Sequence, residues 1–352
     1  MKLILKINKY KPFDSFVLRN PLLPIDEFYL LSEGYLIQIL KHDFIKEAIF
    51  LASPELFLLI EPFTSGKIKD RKSYKKLVLS FFKYLSRMSS RATPFGLFAG
   101  CTIGEMGLET NLYLASNNQW SKKTRLDMNF SIALLSKIQN ELVEENCLIY
   151  FVNSSLYPIG DQFRYVEFQY YGSKRIHTIS SIDSSEYLVS IFSIAKYGAK
   201  FDELTQILIS EEITYEEASN FVRELIASQI LVSDLEPNLT GEDSLSSLIE
   251  ILDKKQINTE LFKKIQTGLN NLNIIGSSIK DYSKIENYVK LTNTNYNPKF
   301  LYQADLYSKM LSNKMEDKLV RNISKILPFL IKVSPLLKNN NLDSFKERFY
   351  KR

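Results

Sequence analysis

Arg87-Met88-Ser89-Ser90-Arg91-Ala92-Thr93-Pro94-Phe95-Gly96-Leu97-Phe98-Ala99-Gly100 passes from a basic helical run into a tight apolar turn, and then into a strand-like run. Pro94 lacks an amide hydrogen and its ring collides with the preceding helical turn, so a helix entering from Arg87 ends before it. Gly96 frees the backbone to reverse, and Phe98 to Ile103 then reads as a buried strand. Upstream, residues 70–90 have the clearest helical period in the chain. At 100° per residue, Lys72, Lys76, Lys83 and Arg87 fall within an arc of about 60°. Leu77, Phe81, Tyr84, Leu85 and Met88 lie on the opposite side. From Lys67 to Arg91 nine basic residues (Lys67, Lys69, Arg71, Lys72, Lys75, Lys76, Lys83, Arg87, Arg91) stand against one acid, Asp70. The pattern predicts a helix with one face for a core and one cationic face, delivering two arginines and Thr93 to its end.

The composition bounds what such an end can serve. With 352 residues, 45% of them hydrophobic and 24% charged, the chain is an ordinary globular one with room for two or three domains. Twelve glycines against 20 tyrosines and 23 phenylalanines argue against a glycine-loop nucleotide site. A net charge of +5 supports no nucleic-acid binding by the molecule as a whole, so any such contact is a local patch. Two cysteines and two histidines are too few for a disulfide framework or a zinc centre. Cys101 and Cys147, in apolar runs, are expected to be buried small hydrophobes. His177, in a hairpin, has no acid or nucleophile at a legible spacing, and neither it nor His42 is assigned a catalytic role. Met1 to Lys6 is not a signal peptide, and Ala48 to Ile60, interrupted by Ser53, Pro54 and Glu55, is too short and too broken to span a bilayer. A cytoplasmic location is expected.

Working outward, Phe16 to Pro24 reads as an extended arm, because Pro21 and Pro24 disfavour helix in the residue before each. Residues 26–40, 42–53 and 131–143 read as helices, and 148–152 as a strand. From 155 to 236 the pattern changes. Phe163 to Tyr171 alternates, turns at Gly172-Ser173 and returns over Arg175 to Ile179 as a hairpin. Asp183 is expected to cap a helix that Gly198 closes; Phe201 to Ile209 is a second helix. Thr214-Tyr215-Glu216-Glu217 is a capping box opening a third, and Ile230 to Val232 a strand. That order suggests a winged helix-turn-helix. Residues 236–246 read as a linker; helices are expected at 245–254, 258–272, 278–290 and 312–331, and a strand over 300–307. The fold class is α+β with small sheets, divided as 1–154, 155–236 and 237–352.

Guanidiniums at i and i+4 can clamp a phosphate or carboxylate, although a basic helix face is more often merely solvated. The string Arg87-x-x-x-Arg91-x-Thr93-Pro94-Phe95-Gly96-Leu97-Phe98 is more specific. It resembles, in order and spacing, the R-x-x-x-R-x-T-P-F-G-L-F motif of lantibiotic dehydratases. The resemblance spans the whole chain but only the first part of such an enzyme. It implies that glutamate is moved from glutamyl-tRNA onto Ser or Thr of a ribosomal precursor peptide, and that a separate elimination domain then expels it to leave dehydroamino acids. This chain alone is not expected to dehydrate a peptide.

By that resemblance Arg87, Arg91 and Thr93 belong to the glutamylation site, with Asp127 in Arg125-Leu126-Asp127 and Asp305 in Tyr302-Gln303-Ala304-Asp305. Read without it, Arg125 and Asp127 make an ordinary strand-end pair, and Asp305, an acid among apolar neighbours, needs a partner such as an arginine. Arg19 resembles an N-terminal element of the family, a structural arginine being the competing reading. Lys72, Lys76 and Lys83, with Arg19, are the expected tRNA contacts, salt-sensitive and indifferent to sequence. The 155–236 module resembles the leader-peptide recognition element of these enzymes, where a leader adds as a strand. Its candidate groove residues are Tyr165, Phe168, Tyr170, Ile176, Phe221, Arg223 and Leu225. Glu216, Glu217 and Glu224 on the third helix speak against DNA. Glutamyl-tRNA is the co-substrate, and no metal or other cofactor is expected. The implied partners are the precursor leader, a C-terminal dehydratase portion, a lanthipeptide cyclase and a second copy of the chain, in a complex peripherally attached to a membrane. Two rival readings stand beside this one: a peptide aminoacyl-tRNA ligase forming an amide, and a non-catalytic leader- or tRNA-binding module of a split system.

Overall fold

The computed structural model describes residues 12–143, 146–171, 174–237, 241–334 and 340–350, without the side chains of residues 170–171, 174–175 and 340. The strand after the Pro/Gly turn is the hub of the largest sheet. β1 (Ser15–Pro21) and β2 (Ala99–Gly107) pair antiparallel along their length, Ser15 opposite Glu105 and Pro21 opposite Ala99. The expected arm is therefore an edge strand, which tolerates a proline at its end. The other edge of β2 takes two strands in succession, both parallel to it. The first is β11 (Tyr302–Tyr307) and the second β12 (Met310–Glu316). β4 (Ser121–Leu126) then pairs antiparallel with β11, and β3 (Asn111–Leu114) with β12, completing a six-stranded mixed sheet. The helix expected from residue 312 starts only at Asp317, because residues 312–314 are held in the ladder with β3.

The helix Arg71–Ser90 is capped by Asp70, whose Oδ2 accepts from the amide of Ser73 at 2.8 Å. Its inner face buries Val78, Phe81, Leu85 and Met88, with Leu77 and Tyr84 half-buried beside them. These residues share a core with Leu22, Leu36, Ile45, Trp120 and, from the underside of β11, Ala304 and Leu306. Lys72, Lys76 and Lys83 are exposed, so the apolar and cationic faces fall where the helical period put them.

A second core runs from the helix Met128–Leu142 through the 155–236 region into the helices Ser244–Lys254, Glu260–Asn271 and Ile279–Leu291. Here β6 (Tyr157–Ile159), β7 (Gln162–Tyr171) and β8 (Lys174–Asp183) form one antiparallel sheet. β5 (Ile149–Val152) lies between β9 (Ala199–Lys200) and β10 (Leu231–Ser233) in another. The first helix of the region, Glu186–Ala195, is capped by Ser185 rather than Asp183. Asp183 ends β8, accepting from Gln162 Nε2 at 2.8 Å. The third helix, Tyr215–Ala227, starts in a complete capping box. The Thr214 amide donates to Glu217 Oε2 at 2.9 Å, and the Glu217 amide donates to Thr214 Oγ1 at 3.3 Å. Thr214→Ala is expected to cost about 1 kcal/mol, the usual worth of an N-cap, read from the chemical denaturation midpoint.

The two cores meet at a buried polar knot. Glu47 and Lys122 form an ion pair with side chains fully out of water. Lys122 Nζ also donates to Ser277 Oγ at 3.2 Å and to Tyr282 Oη at 3.3 Å. Tyr282 Oη in turn donates to Glu47 Oε1 at 2.8 Å, and the Gly276 amide to Glu47 Oε2 at 2.8 Å. Burial pushes the Tyr282 phenol well above its ordinary range, which keeps its proton on the donating oxygen. Burial also pulls the Lys122 ammonium downward, opposed by the Glu47 carboxylate.

Candidate functional site

The helix ends where the sequence requires it. Arg91 has left helical geometry (φ −121°, ψ 118°), although its amide still donates to the Arg87 carbonyl at 3.2 Å. The two arginines are therefore not a helical i, i+4 pair on one face, since Arg91 is the first residue off the helix. Arg87 is instead held by the turn: its guanidinium carbon lies 4.2 Å from the centroid of the Phe95 ring. Phe95 packs edge-on against Phe98, and Phe98 against Tyr84, with centroids 5.5 Å apart in both cases. Gly96 has φ +52°, a conformation that side chains disfavour. Backbone bonds clamp the turn from β1: the Leu22 amide to the Phe98 carbonyl, and the Leu23 amide to the Met88 carbonyl, each at 3.0 Å.

Among the described residues neither Arg87 nor Arg91 forms an ion pair, and the buried Arg87 Nε has no hydrogen-bond partner. Arg91 and Thr93 are exposed. A helix C-terminus carries partial negative charge from its free carbonyls. Any affinity for an anion at this end must therefore come from the guanidiniums themselves. Lys72, Lys76 and Lys83 continue the positive surface along a helix of 20 residues, about 30 Å long.

A second group lies on the open face of the large sheet. Alternation along β11 turns Ala304 and Leu306 into the core and Gln303, Asp305 and Tyr307 outward. Asp305 stands directly opposite Lys123 on β4, and Gln303 opposite Arg125. Arg125 Nη1 bonds Asp305 Oδ2 at 2.7 Å, both side chains about one-third exposed. Arg19 reaches the same face through Cys101, its partner on β2, which is itself in register with Tyr307. Cys101 and Cys147 are both half-buried, not sealed in the core.

Asp127 follows β4 directly and caps the helix Met128–Leu142. Its Oδ1 accepts from the Asn129 amide at 2.9 Å and from Asn129 Nδ2 at 2.8 Å. The structure thus gathers Arg19, Arg125 and Asp305 on one face. The basic helix packs against the other face, where its apolar residues share a core with Ala304 and Leu306. No hydrogen bond or ion pair joins the two groups among the described residues. Arg125 and Lys123 went unread as neighbours of Asp305; the alternation Ser121-Lys122-Lys123-Thr124-Arg125 on β4 was the available signal.

The seven residues grouped as a leader groove do not line one surface. Tyr165 and Leu225 are core residues, 4% and 2% exposed. Phe221 is half-buried against the same core. Ile176 pairs with Gln169 and so shares the face of Tyr165, while Phe168 pairs with His177 on the opposite face. Tyr170 lies on β7, its side chain outside the described residues. Phe168 and Arg223 do come together, in a cleft of about 570 Å³ between the helices Met128–Leu142 and Tyr215–Ala227. There the Gln229 side chain mimics a strand: its Oε1 accepts from the Phe168 amide at 3.1 Å and its Nε2 donates to the Phe168 carbonyl at 2.9 Å. That edge of β7 is occupied at Phe168, whereas β8 forms the edge of its sheet.

The sequence model of the family described as "Lantibiotic dehydratase, N terminus" matches residues 41–352. The chain belongs to this family. It is 25% identical over 336 residues to the epidermin biosynthesis protein EpiB of Staphylococcus epidermidis, covering 93% of this chain and 34% of that protein. It is 26% identical over 347 residues to the nisin biosynthesis protein NisB of Lactococcus lactis, covering 95% and 33%. The chain therefore spans about a third of the length of these relatives. Its fold is that of the tRNA-dependent lantibiotic dehydratase MibB from Microbispora sp. 107891, with a TM-score of 0.74 at 18% identity over 96% of this chain and 33% of that one. The glutamylation domain TbtB from thiomuracin biosynthesis matches with a TM-score of 0.55 at 15% identity, over 81% and 35%. Among the described residues no cluster of His, Cys, Asp or Glu is placed to hold a metal ion, and no helix is long and apolar enough to cross a membrane.

Proposed function

We propose that this chain forms the tRNA-gripping, leader-binding part of an enzyme that transfers glutamate from glutamyl-tRNA to Ser or Thr hydroxyls of a precursor peptide. Glutamate elimination to dehydroamino acids follows in the remainder of the enzyme. The observation that carries the reading is the pair of guanidiniums with no acid partner at the end of a helix whose outer face is lysine.

The chemistry suits such a site. Hydroxide is a poor leaving group, and a glutamyl ester makes the same oxygen expellable. In the transfer the Ser or Thr oxygen attacks the glutamyl carbonyl and the tRNA 3′ oxygen departs with a proton. That exchange of one ester for another requires positioning and charge stabilisation more than a protein nucleophile. Arg87 and Arg91 face the phosphates and the departing oxygen, with Thr93 beside them. Asp305 and Asp127 supply charge opposite to the ammonium of an aminoacyl group. Arg19, Lys72, Lys76 and Lys83 meet the acceptor stem, and the cleft at Phe168 and Arg223 with the β8 edge receives the leader. Glutamyl-tRNA is the sole co-substrate, which places the reaction in the cytosol. The precursor leader, a C-terminal dehydratase portion and a cyclase are the partners.

The test combines this chain with a polypeptide matching the remainder of its relatives, glutamyl-tRNA and a Ser/Thr-rich precursor. A glutamyl adduct released by mild base is the expected product. An adduct that survives base selects the ligase, and leader or tRNA binding without transfer selects a non-catalytic module. Reversing Lys72, Lys76 and Lys83 to glutamate is expected to weaken tRNA binding. It should also flatten the plot of log affinity against log salt by about 2–3, close to one per lost phosphate contact. An unchanged slope removes the lysine face from the interface.

A further inference from the structure

Behind β1 lies a cleft of about 600 Å³, on the side away from Arg19. It is formed by the chain leaving β1, the helix Glu33–Ile39, and residues 114–120. Its walls are mainly apolar (Leu22, Leu23, Ile39, Phe44, Leu114 and Trp120), with His42, Ser116 and Asn117 also on the lining. The Trp120 indole N–H is already bonded to the Ala115 carbonyl at 2.9 Å, so the ring presents only carbon. Ser89 also reaches the cleft, but its hydroxyl hydrogen is used on the Leu85 carbonyl at 3.0 Å.

Two buried polar atoms lining this cleft have no hydrogen-bond partner: Asn20 Oδ1 and Glu27 Oε2. Asn20 is 6% exposed, and its amide nitrogen is engaged with the Pro21 carbonyl at 3.0 Å, which fixes the orientation of the free oxygen. An unpaired buried acceptor costs about 1–3 kcal/mol, and a carboxylate oxygen more. Two of them in one mainly apolar cleft mark a place for something that donates.

We propose that this cleft binds an organic cation, a protonated amine or guanidinium carried on an apolar body. Both unsatisfied atoms are acceptors and one belongs to an anion, so the occupant brings N–H groups and positive charge. The apolar walls take its carbon skeleton, and the volume is that of an ordinary small-molecule site. A free amine and a lysine or arginine side chain presented by a peptide share this chemistry. The site is independent of tRNA chemistry and stands whether or not glutamyl transfer does.

Isothermal titration calorimetry on the full chain tests it, with 2-phenylethylammonium as the free amine and acetyl-Phe-Lys-amide as the peptide. Saturable one-to-one binding of at least one probe is expected, and Glu27→Gln should weaken it at least tenfold. A tighter peptide identifies a polypeptide source, and a tighter amine a small molecule. 3-Phenylpropionate, with the same ring and the opposite charge, is not expected to bind. This contrast needs no variant and survives any folding defect in Glu27→Gln. Equal binding of the carboxylate, an unchanged affinity in a folded Glu27→Gln chain, or no saturable binding of either cation overturns the proposal.

Discussion

Replacing Arg87 and Arg91 together by alanine, in the chain completed as above, is expected to lower glutamyl transfer roughly a hundred- to a thousandfold, the usual cost of removing charge-stabilising donors from a transition state. The geometry leaves no substitute. The helix end is itself negative in partial charge, and the exposed lysines lie back along the rod, the last of them Lys83, one turn before Arg87. Both guanidiniums lack an acid partner among the described residues, so their removal breaks no ion pair. Arg91 is exposed and Arg87 only stacks on Phe95, which keeps the stability penalty small. A thermal melt close to the parent's, together with a collapsed rate of ester formation by mass spectrometry, is the predicted pair of results. A single Arg87→Lys retains charge but loses planar stacking and the forked donors, and should fall between parent and double variant. Transfer by the double variant at more than half the parental rate removes the arginines from the site.

The largest stability effect is expected at Glu47. Glu47→Ala strands the Lys122 ammonium in a fully buried position and removes the acceptor of Tyr282 and of the Gly276 amide. Breaking one side of such a pair costs about 3–5 kcal/mol. Exchanging both partners for apolar residues, Glu47→Leu with Lys122→Met, should be less damaging than Glu47→Ala, because no charge is left unpaired. Urea denaturation followed by tryptophan emission is well placed to show this, since Trp120, two residues from Lys122, is the only tryptophan. A loss below about 0.5 kcal/mol in Glu47→Ala, within the range of ordinary surface substitutions, contradicts the assignment of this pair as the pin between the two cores.

How much could be read beforehand followed the range of the interactions. The helix Arg71–Ser90 was legible because its cap, its apolar stripe and its proline stop all lie within about 25 residues. The capping box at Thr214 was legible for the same reason. The order of the large sheet was not, because β2 finds β11 and β12 some 200 residues downstream and nothing local records the pairing. Residues 312–316 look helical by composition, and pairing with β3 on one side and β2 on the other holds them extended. Asp305 was expected to need an arginine; strand register chose Arg125. Tyr165 and Leu225 misled because an apolar residue on an amphipathic element suits a groove and a core equally well in sequence, and burial decided for the core.

The hub position of β2 has a consequence for synthesis. The ribosome finishes this strand at Gly107, yet its second row of partners is complete only at Glu316. At about 5–20 residues per second, that delay lasts roughly 10–40 s. Throughout it, one side of β2 offers bare amides and carbonyls to any passing strand, the kind of surface that promotes aggregation. That edge closes only once the late strands have emerged and completed the ladder.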